Sequence, residues 1–199
     1  MSSEDHTEGA TAGEDISGLL EESLIDRRDR DAAELESISR AYDKHVFRAR
    51  KKKNKWLTDE FIRRVHQDMF GGIWDWAGKY RTGSTNIGID WHQIPEQIAQ
   101  IVGDFEFWNS PQSKMDAVEI AARLQNRLTR VHPFKNGNGR HARLITDIFF
   151  HSQGHKLPQW PQLQMLPRGD IIRNQYVLAM RKADMEDYRD LIKFIEQWL

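Results

Sequence analysis

Twelve consecutive residues, His132 to Arg143 (HPFKNGNGRHAR), hold the groups best suited to chemistry. His132 can accept a proton near neutral pH, since imidazole has an ordinary pKa of about 6.5. Placed beside a reactive phosphate, such a base suits removal of the proton from an incoming hydroxyl. Gly137, Asn138 and Gly139 follow. Glycine allows backbone angles that other residues avoid and lets a ligand approach the main chain closely. Successive inward-turned N–H groups make a concave anion nest. A helix starting at about Gly139 would add its unpaired N–H groups and positive dipole end. Arg140 and Arg143, three residues apart, then share one helix face, each offering a planar fork that suits phosphate oxygens. The stretch reads as a polyphosphate cradle with His132 at its lip. Phe134 is apolar and is expected to be buried, fixing the loop so that His132 points correctly.

Holding such a loop requires helices on both sides. The apolar run Ile120 to Val131 leads in, as part of a helix from Met115 with Ile120, Leu124, Leu128 and Val131 on one stripe. Ala142, Leu144, Ile145, Ile148 and Phe149 continue on the far side. Further helices are expected over about 31–47 (stripe Leu35, Ile38, Ala41, Tyr42, Val46), from a Thr58 or Asp59 cap to Gly71-Gly72, from Pro95 to about Trp108, and over about 168–183 and 187–199. Ile16 to Ile25 suggests a short helix or turn. Between Arg81 and Trp91, glycines at 83 and 88 bracket Ser84-Thr85-Asn86-Ile87, which predicts a short hairpin. The total is about seven to nine helices and one hairpin, an all-α class.

With 199 residues, one domain over 16–199 is expected, its N-terminal helical extension covering about 16–55. Residues 1–15 are acidic and polar without an aromatic, which predicts a disordered tail. A net charge of -1 gives no global attraction to nucleic acid or membrane. The basic run Arg48 to Lys55 is read as a solvated linker rather than a nucleic-acid patch. There is no cysteine, so no disulfide or thiolate metal site arises. No long apolar segment or signal sequence is visible, and a cytoplasmic location is expected. His151 and His155 make no zinc motif, because Gly154 separates them and no HExxH is present.

The twelve-residue string resembles the signature of the Fic (filamentation induced by cAMP) domain family, HPF-x-[D/E]-G-N-G-R-x-x-R. It matches at every fixed position but one, where Asn136 stands for the acidic residue. The wider pattern, from about Ile16 onward, is similar to a bacterial subgroup called mobile mystery protein B. The resemblance implies a Fic fold and a protein adenylyltransferase. In such enzymes the histidine matching His132 activates a Ser, Thr or Tyr hydroxyl of a target protein for attack on the α-phosphate of ATP. Gly137, Asn138, Gly139, Arg140 and Arg143 then bind the phosphates. Thr85, Asn86, Ile87 and Gly88 would form a β-hairpin flap that holds the target segment by main-chain pairing.

The family's acidic residue binds Mg²⁺, so Asn136 is expected to be a weak Mg²⁺ ligand without charge. Weaker Mg²⁺ dependence, slower transfer, transfer of another phosphate-containing group, or a nucleotide-binding regulator are the alternatives it opens. Tyr176 and Asn174 are candidates for the base pocket. Many relatives are restrained by a glutamate in a [S/T]-x-x-x-E-[G/N] helix that pairs with the second signature arginine, here Arg143. That glutamate comes from either terminus or from a separate antitoxin. Ser17 to Glu21 is the nearest match, with Glu22 in place of Gly or Asn, and makes Glu21 the inhibitory candidate. Glu34 is a second acidic candidate, expected rather in a surface or structural contact.

Overall fold

A computed structural model describes residues 15–48, 55–161 and 169–199. The tail at 1–14 and most of the basic run, 49–54, lie outside the described residues. Seven α-helices are present among those described: α1 (Arg27–Tyr42), α2 (Asp59–Phe70), α3 (Ile94–Trp108), α4 (Ala117–Val131), α5 (Asn138–Ser152), α6 (Ile171–Ala183) and α7 (Arg189–Trp198). A single 3₁₀ turn, Glu22–Leu24, precedes α1, and a π-helical turn, Asp43–Phe47, continues it.

Local chemistry fixes the helix ends. Asp26, Thr58, Asp116 and Asp170 each cap a helix by accepting a backbone N–H one or two residues inside it. Pro95 sits in the first turn of α3, where its missing N–H costs nothing. The core draws on all seven helices. Leu124 and Leu128 of α4, Ile145 and Phe149 of α5, Phe70 of α2 and Leu191 of α7 all belong to it, and Phe105 of α3 meets Phe149 edge-on. Ala121 and Ala122 are fully buried and let α4 approach its neighbours closely.

Two expectations are corrected here. The stripe read for α1 holds at Ile38, Ala41, Tyr42 and Val46 but not at its start: Leu35 is 63% exposed, and Arg30, Glu34 and Ser37 are buried beside Ala41. Those side chains are drawn in by specific partners. Arg30 donates to the Leu24 and Ile25 carbonyls, and Glu34 accepts from Trp74 and Arg140. The hairpin is also absent: residues 81–90 contain no paired strand. The Arg81 guanidinium takes the place of cross-strand bonds, donating to the carbonyls of Gly83 (2.8 Å) and Ile89 (2.5 Å) and so closing the segment as a loop. Among the described residues the one β-bridge is isolated, Leu19 to Trp74, and ties the N-terminal segment to the turn after α2.

Candidate functional site

The site lies where α4 ends and α5 begins. His132 terminates α4 in the left-handed conformation, with φ 51° and ψ 58°. Its N–H donates to the Leu128 carbonyl at 3.2 Å, a one-bond αL cap. Pro133 follows and has no N–H, so it cannot continue the helix or serve the Thr129 carbonyl.

Arg81 holds this turn from outside. Its Nε donates to the His132 carbonyl at 2.7 Å, an Nη2 group reaches the Val131 carbonyl at 3.4 Å, and its backbone N–H meets the Pro133 carbonyl at 2.9 Å. The same guanidinium anchors residues 83 and 89, so loop 81–90 and the histidine turn are one unit. Gly88, at φ 106°, lies against His132: a Cβ there would stand 2.6 Å from the His132 Cβ. Of the loop's anticipated target-binding residues, Gly88 therefore borders the histidine directly. The Thr85 hydroxyl donates to the Ile87 carbonyl at 2.5 Å.

Phe134 is fully buried, as expected. It stacks on His66 at 3.7 Å and meets the His141 ring edge-on at 5.1 Å. His66 has a defined tautomer. Nδ1 accepts from the Gly78 N–H at 2.9 Å, so Nε2 carries the hydrogen and donates to the Asn136 carbonyl at 3.0 Å. Asn138 closes the loop from within: its amide accepts from the Phe134 N–H (2.9 Å) and donates to the Phe134 carbonyl (2.8 Å). Asn138 thus shapes the cradle with its side chain rather than presenting that side chain to a ligand. Asn136 Oδ1 accepts from the Gly137 N–H at 2.7 Å. Gly137, at φ 76°, caps α5, and a Cβ there would strike the Phe70 ring at 2.5 Å.

The N–H groups of Asn138, Gly139 and Arg140 open α5 and have no acceptor within the helix. Gly139 is sterically free: a Cβ would meet only Arg143 Nη1, at 3.7 Å. The second arginine therefore lies over the helix N-terminus. The first is held from α1. Arg140 donates to Glu34 Oε2 at 2.6 Å and lies over the Phe70 ring, while Trp74 Nε1 donates to Glu34 Oε1 at 2.7 Å. Glu34, not Glu21, is the carboxylate at the cradle; Glu21 is exposed and accepts from the Ser23 hydroxyl. Lys135 points outward to Asp15 and the Ser17 carbonyl, fastening the N-terminal segment to the loop.

Burial shapes the electrostatics. It drives the His132 pKa down to about 4, and the Arg81 charge adds to the shift, while the Thr129 carbonyl opposes it. His132 Nδ1 is buried. His141 is likewise pushed down to about 4 by burial, and His66 falls well below the ordinary value, chiefly for the same reason. Asp147, one turn after Arg143, goes the other way. Burial raises it to about 7, against hydrogen bonds from Trp160 and Tyr42 and the Arg143 charge.

For Mg²⁺, Asn136 Oδ1 is a neutral oxygen near the cradle, and among the described residues there is no group of three or more His, Asp or Glu side chains that could hold a metal ion. That donor set fits an ion carried in on a triphosphate, whose oxygens supply most ligands. Tyr176 and Asn174, the base-pocket candidates, lie on α6. Tyr176 is buried, its hydroxyl accepting from Gln125 at 2.9 Å, and Asn174 is exposed. Arg81, His66 and Asp147 had no assigned role in the sequence reading. A histidine on the apolar face of α2 and an arginine closing WAGKYR were the available signals.

Residues 56–150 match the family model described as Fic/DOC family. The chain is 31% identical over 121 residues to Protein adenylyltransferase fic-1 of Caenorhabditis briggsae, covering 60% of this chain and 22% of that protein. It is 31% identical over 143 residues to Protein adenylyltransferase Fic of Drosophila mojavensis, covering 70% and 27%. The chain therefore spans about a quarter of the length of these relatives. Among solved structures, a Caenorhabditis elegans Fic-1 fragment superimposes with a TM-score of 0.66 at 23% identity, covering 92% of this chain and 52% of that one. BepC of Bartonella tribocorum, with bound AMPPNP, gives 0.64 at 16% identity, covering 87% of each chain. These two likenesses show the fold.

Proposed function

Residues 56–150 are a Fic/DOC-family domain, and from that premise we propose that the chain is a protein adenylyltransferase that moves AMP from ATP to a Ser, Thr or Tyr hydroxyl of another protein. The observation that carries the proposal is the meeting of a neutral histidine with an open helix N-terminus and two arginines. The relatives' names and the nucleotide bound in BepC point the same way.

The reaction needs little from the protein beyond placement. His132 Nε2 takes the hydroxyl proton, and the hydroxyl oxygen attacks the α-phosphorus. The bond from that phosphorus to the α–β bridging oxygen breaks, and pyrophosphate leaves with the electron pair. The N–H groups of Gly139 and Arg140, with the guanidinium groups of Arg140 and Arg143, face the charge that develops. Mg²⁺ carried on the triphosphate would supply further charge neutralisation, and Asn136 would be the residue to hold it. The low pKa of His132 keeps the base free of a proton at neutral pH, and a bound triphosphate raises its basicity by adding negative charge nearby. Among the described residues no helix is long and apolar enough to cross a membrane.

The test uses ATP labelled at the α- or the γ-phosphate. Label from α-labelled ATP alone should appear on protein, and His132→Ala should abolish it while ATP affinity stays within about twofold, because the base is not a cradle element. Transfer by that variant at the wild-type rate would sink the assignment. ATP binding without label transfer by the wild type would make the chain a nucleotide-binding regulator.

A further inference from the structure

One side chain of α2 reaches both loops that meet at the candidate site. His66 is fully buried, its Nδ1 accepting from the Gly78 N–H at 2.9 Å and its Nε2 donating to the Asn136 carbonyl at 3.0 Å. Gly78 leads through Lys79 and Tyr80 to Arg81 and loop 81–90. Asn136 precedes Gly137, the residue that caps α5. A single ring therefore stands between the main chains of the two segments.

Three observations distinguish this link from ordinary core packing. The ring is rigid and held in place: it stacks on Phe134 at 3.7 Å with 15° between the planes, and Phe70 and Trp76 close its other sides at 4.9 and 6.0 Å. Both bonds need a neutral ring with its hydrogen on Nε2, and burial, with His141 and Arg140 close by, holds its pKa well below the ordinary value. The Gly78 peptide is gripped a second time from the same helix, since Arg63 Nε donates to the Gly78 carbonyl at 3.0 Å. Gly78, at φ 68°, lies so close to α2 that a Cβ would stand 3.0 Å from the Arg63 carbonyl.

We propose that His66 is a positioning residue that sets the spacing between the loop that holds the acceptor protein and the loop that holds the nucleotide phosphates. What each loop binds rests on the adenylyl-transfer reading; the link between them rests on the bonds above. Transfer joins two ligands held by different segments, and the attacking oxygen must come within about 3–3.5 Å of the α-phosphorus. Small shifts of one segment against the other are therefore costly in rate. Arg81 fastens loop 81–90 to the His132 turn. His66 fixes the same run of chain to the other end of the signature loop, where the open N–H groups of α5 begin. Being fully buried, His66 touches neither ligand and acts only through the two main chains.

The two ends of the link can be removed separately. Glutamine places a donor near Nε2 but no acceptor at Nδ1; asparagine places an acceptor near Nδ1 but is too short to reach the Asn136 carbonyl. His66→Gln should keep ATP affinity within about twofold, while the KM for acceptor peptide rises about tenfold, the worth of one buried hydrogen bond. Amide hydrogen exchange at Gly78 and through loop 81–90 should speed up in that variant. His66→Asn should do the reverse: ATP binds about tenfold more weakly, and exchange and peptide KM stay near wild type. Arg63 is exposed, and Arg63→Met should repeat the glutamine pattern with the ring intact, so it decides the matter if a His66 variant fails to fold, as judged by melting temperature. Equal losses of ATP affinity and peptide KM in the glutamine and asparagine variants overturn the proposal, as does no change in either, or unchanged exchange at Gly78 in Arg63→Met. Exchange and ATP titration need no transfer, so a wild type that transfers no label overturns the transferase reading, and these two measurements still decide the link.

Discussion

His132 works from a backbone conformation that costs a non-glycine residue energy, and the surrounding contacts maintain it. Gly88 is part of that support, because nothing larger fits against the histidine at a φ of 106°. Gly88→Ala should therefore lower transfer about tenfold or more, from strain of about 1–3 kcal/mol, while ATP affinity is unchanged. Steady-state kinetics with peptide and ATP varied separately check this. Asn136→Asp should raise Mg²⁺-dependent transfer by supplying a charged ligand; an unchanged Mg²⁺ titration in a folded variant would show the amide suited to its own chemistry. Asp147 adds a pH effect. Its pKa of about 7 means that it gains charge across the neutral range, beside Arg143. ATP affinity should fall as pH rises through 7, and Asp147→Asn should flatten that dependence in calorimetric titrations. The signature residues were legible in the sequence because their spacing is dense and local. Arg81 and Asp147 were not, since their partners lie on other elements.

At the scale of elements, α1 departs most from its sequence pattern. Its apolar stripe pointed to a face with Leu35, yet Glu34, Arg30 and Ser37 face the interior. Periodicity counts apolar residues and is blind to a carboxylate whose burial is repaid by an arginine and an indole N–H. The same blindness explains the missing hairpin. β-branched residues and glycines suggested strands, but one arginine collected the carbonyls that a partner strand would have bonded. The Glu34–Arg140 pair yields a prediction. Glu34→Gln keeps an acceptor for Trp74 but removes the charge that competes with phosphate for Arg140. ATP should bind it about tenfold more tightly, in line with the worth of a charge-assisted hydrogen bond. Glu34→Ala should instead lower stability by about 1–3 kcal/mol, because Trp74 Nε1 is left buried and unpaired. Fluorescence-monitored ATP titration and urea unfolding of the two variants separate these effects. Equal ATP affinity in Glu34→Gln and wild type would remove Glu34 from the control of the cradle.

Three of the four histidines buried among the described residues, His66, His132 and His141, gather around the signature loop, and this sets the molecule's response to acid. His132 and His141 are held at about 4 against an ordinary 6.5, and burial also holds His66 well below its ordinary value. For a depressed histidine the unfolded chain binds more protons between the folded and unfolded pKa values, so the stabilisation is complete above 6.5 and is lost as pH falls towards 4. Each of the two shifts to about 4 is worth up to roughly 3 kcal/mol. Asp147, raised instead, opposes them, gaining stability as pH falls from 7. The melting temperature should drop between pH 6.5 and 4, and more steeply in Asp147→Asn; a flat profile would contradict the buried neutral rings. The Glu34–Arg140 contact joins residues 106 apart in sequence. It therefore has a history as well as a position. At a synthesis rate of about 5–20 residues per second, Glu34 leaves the ribosome roughly 5–20 seconds before Arg140. The carboxylate is therefore already outside the ribosome when the arginine emerges, and the pair closes only after α5 has been made.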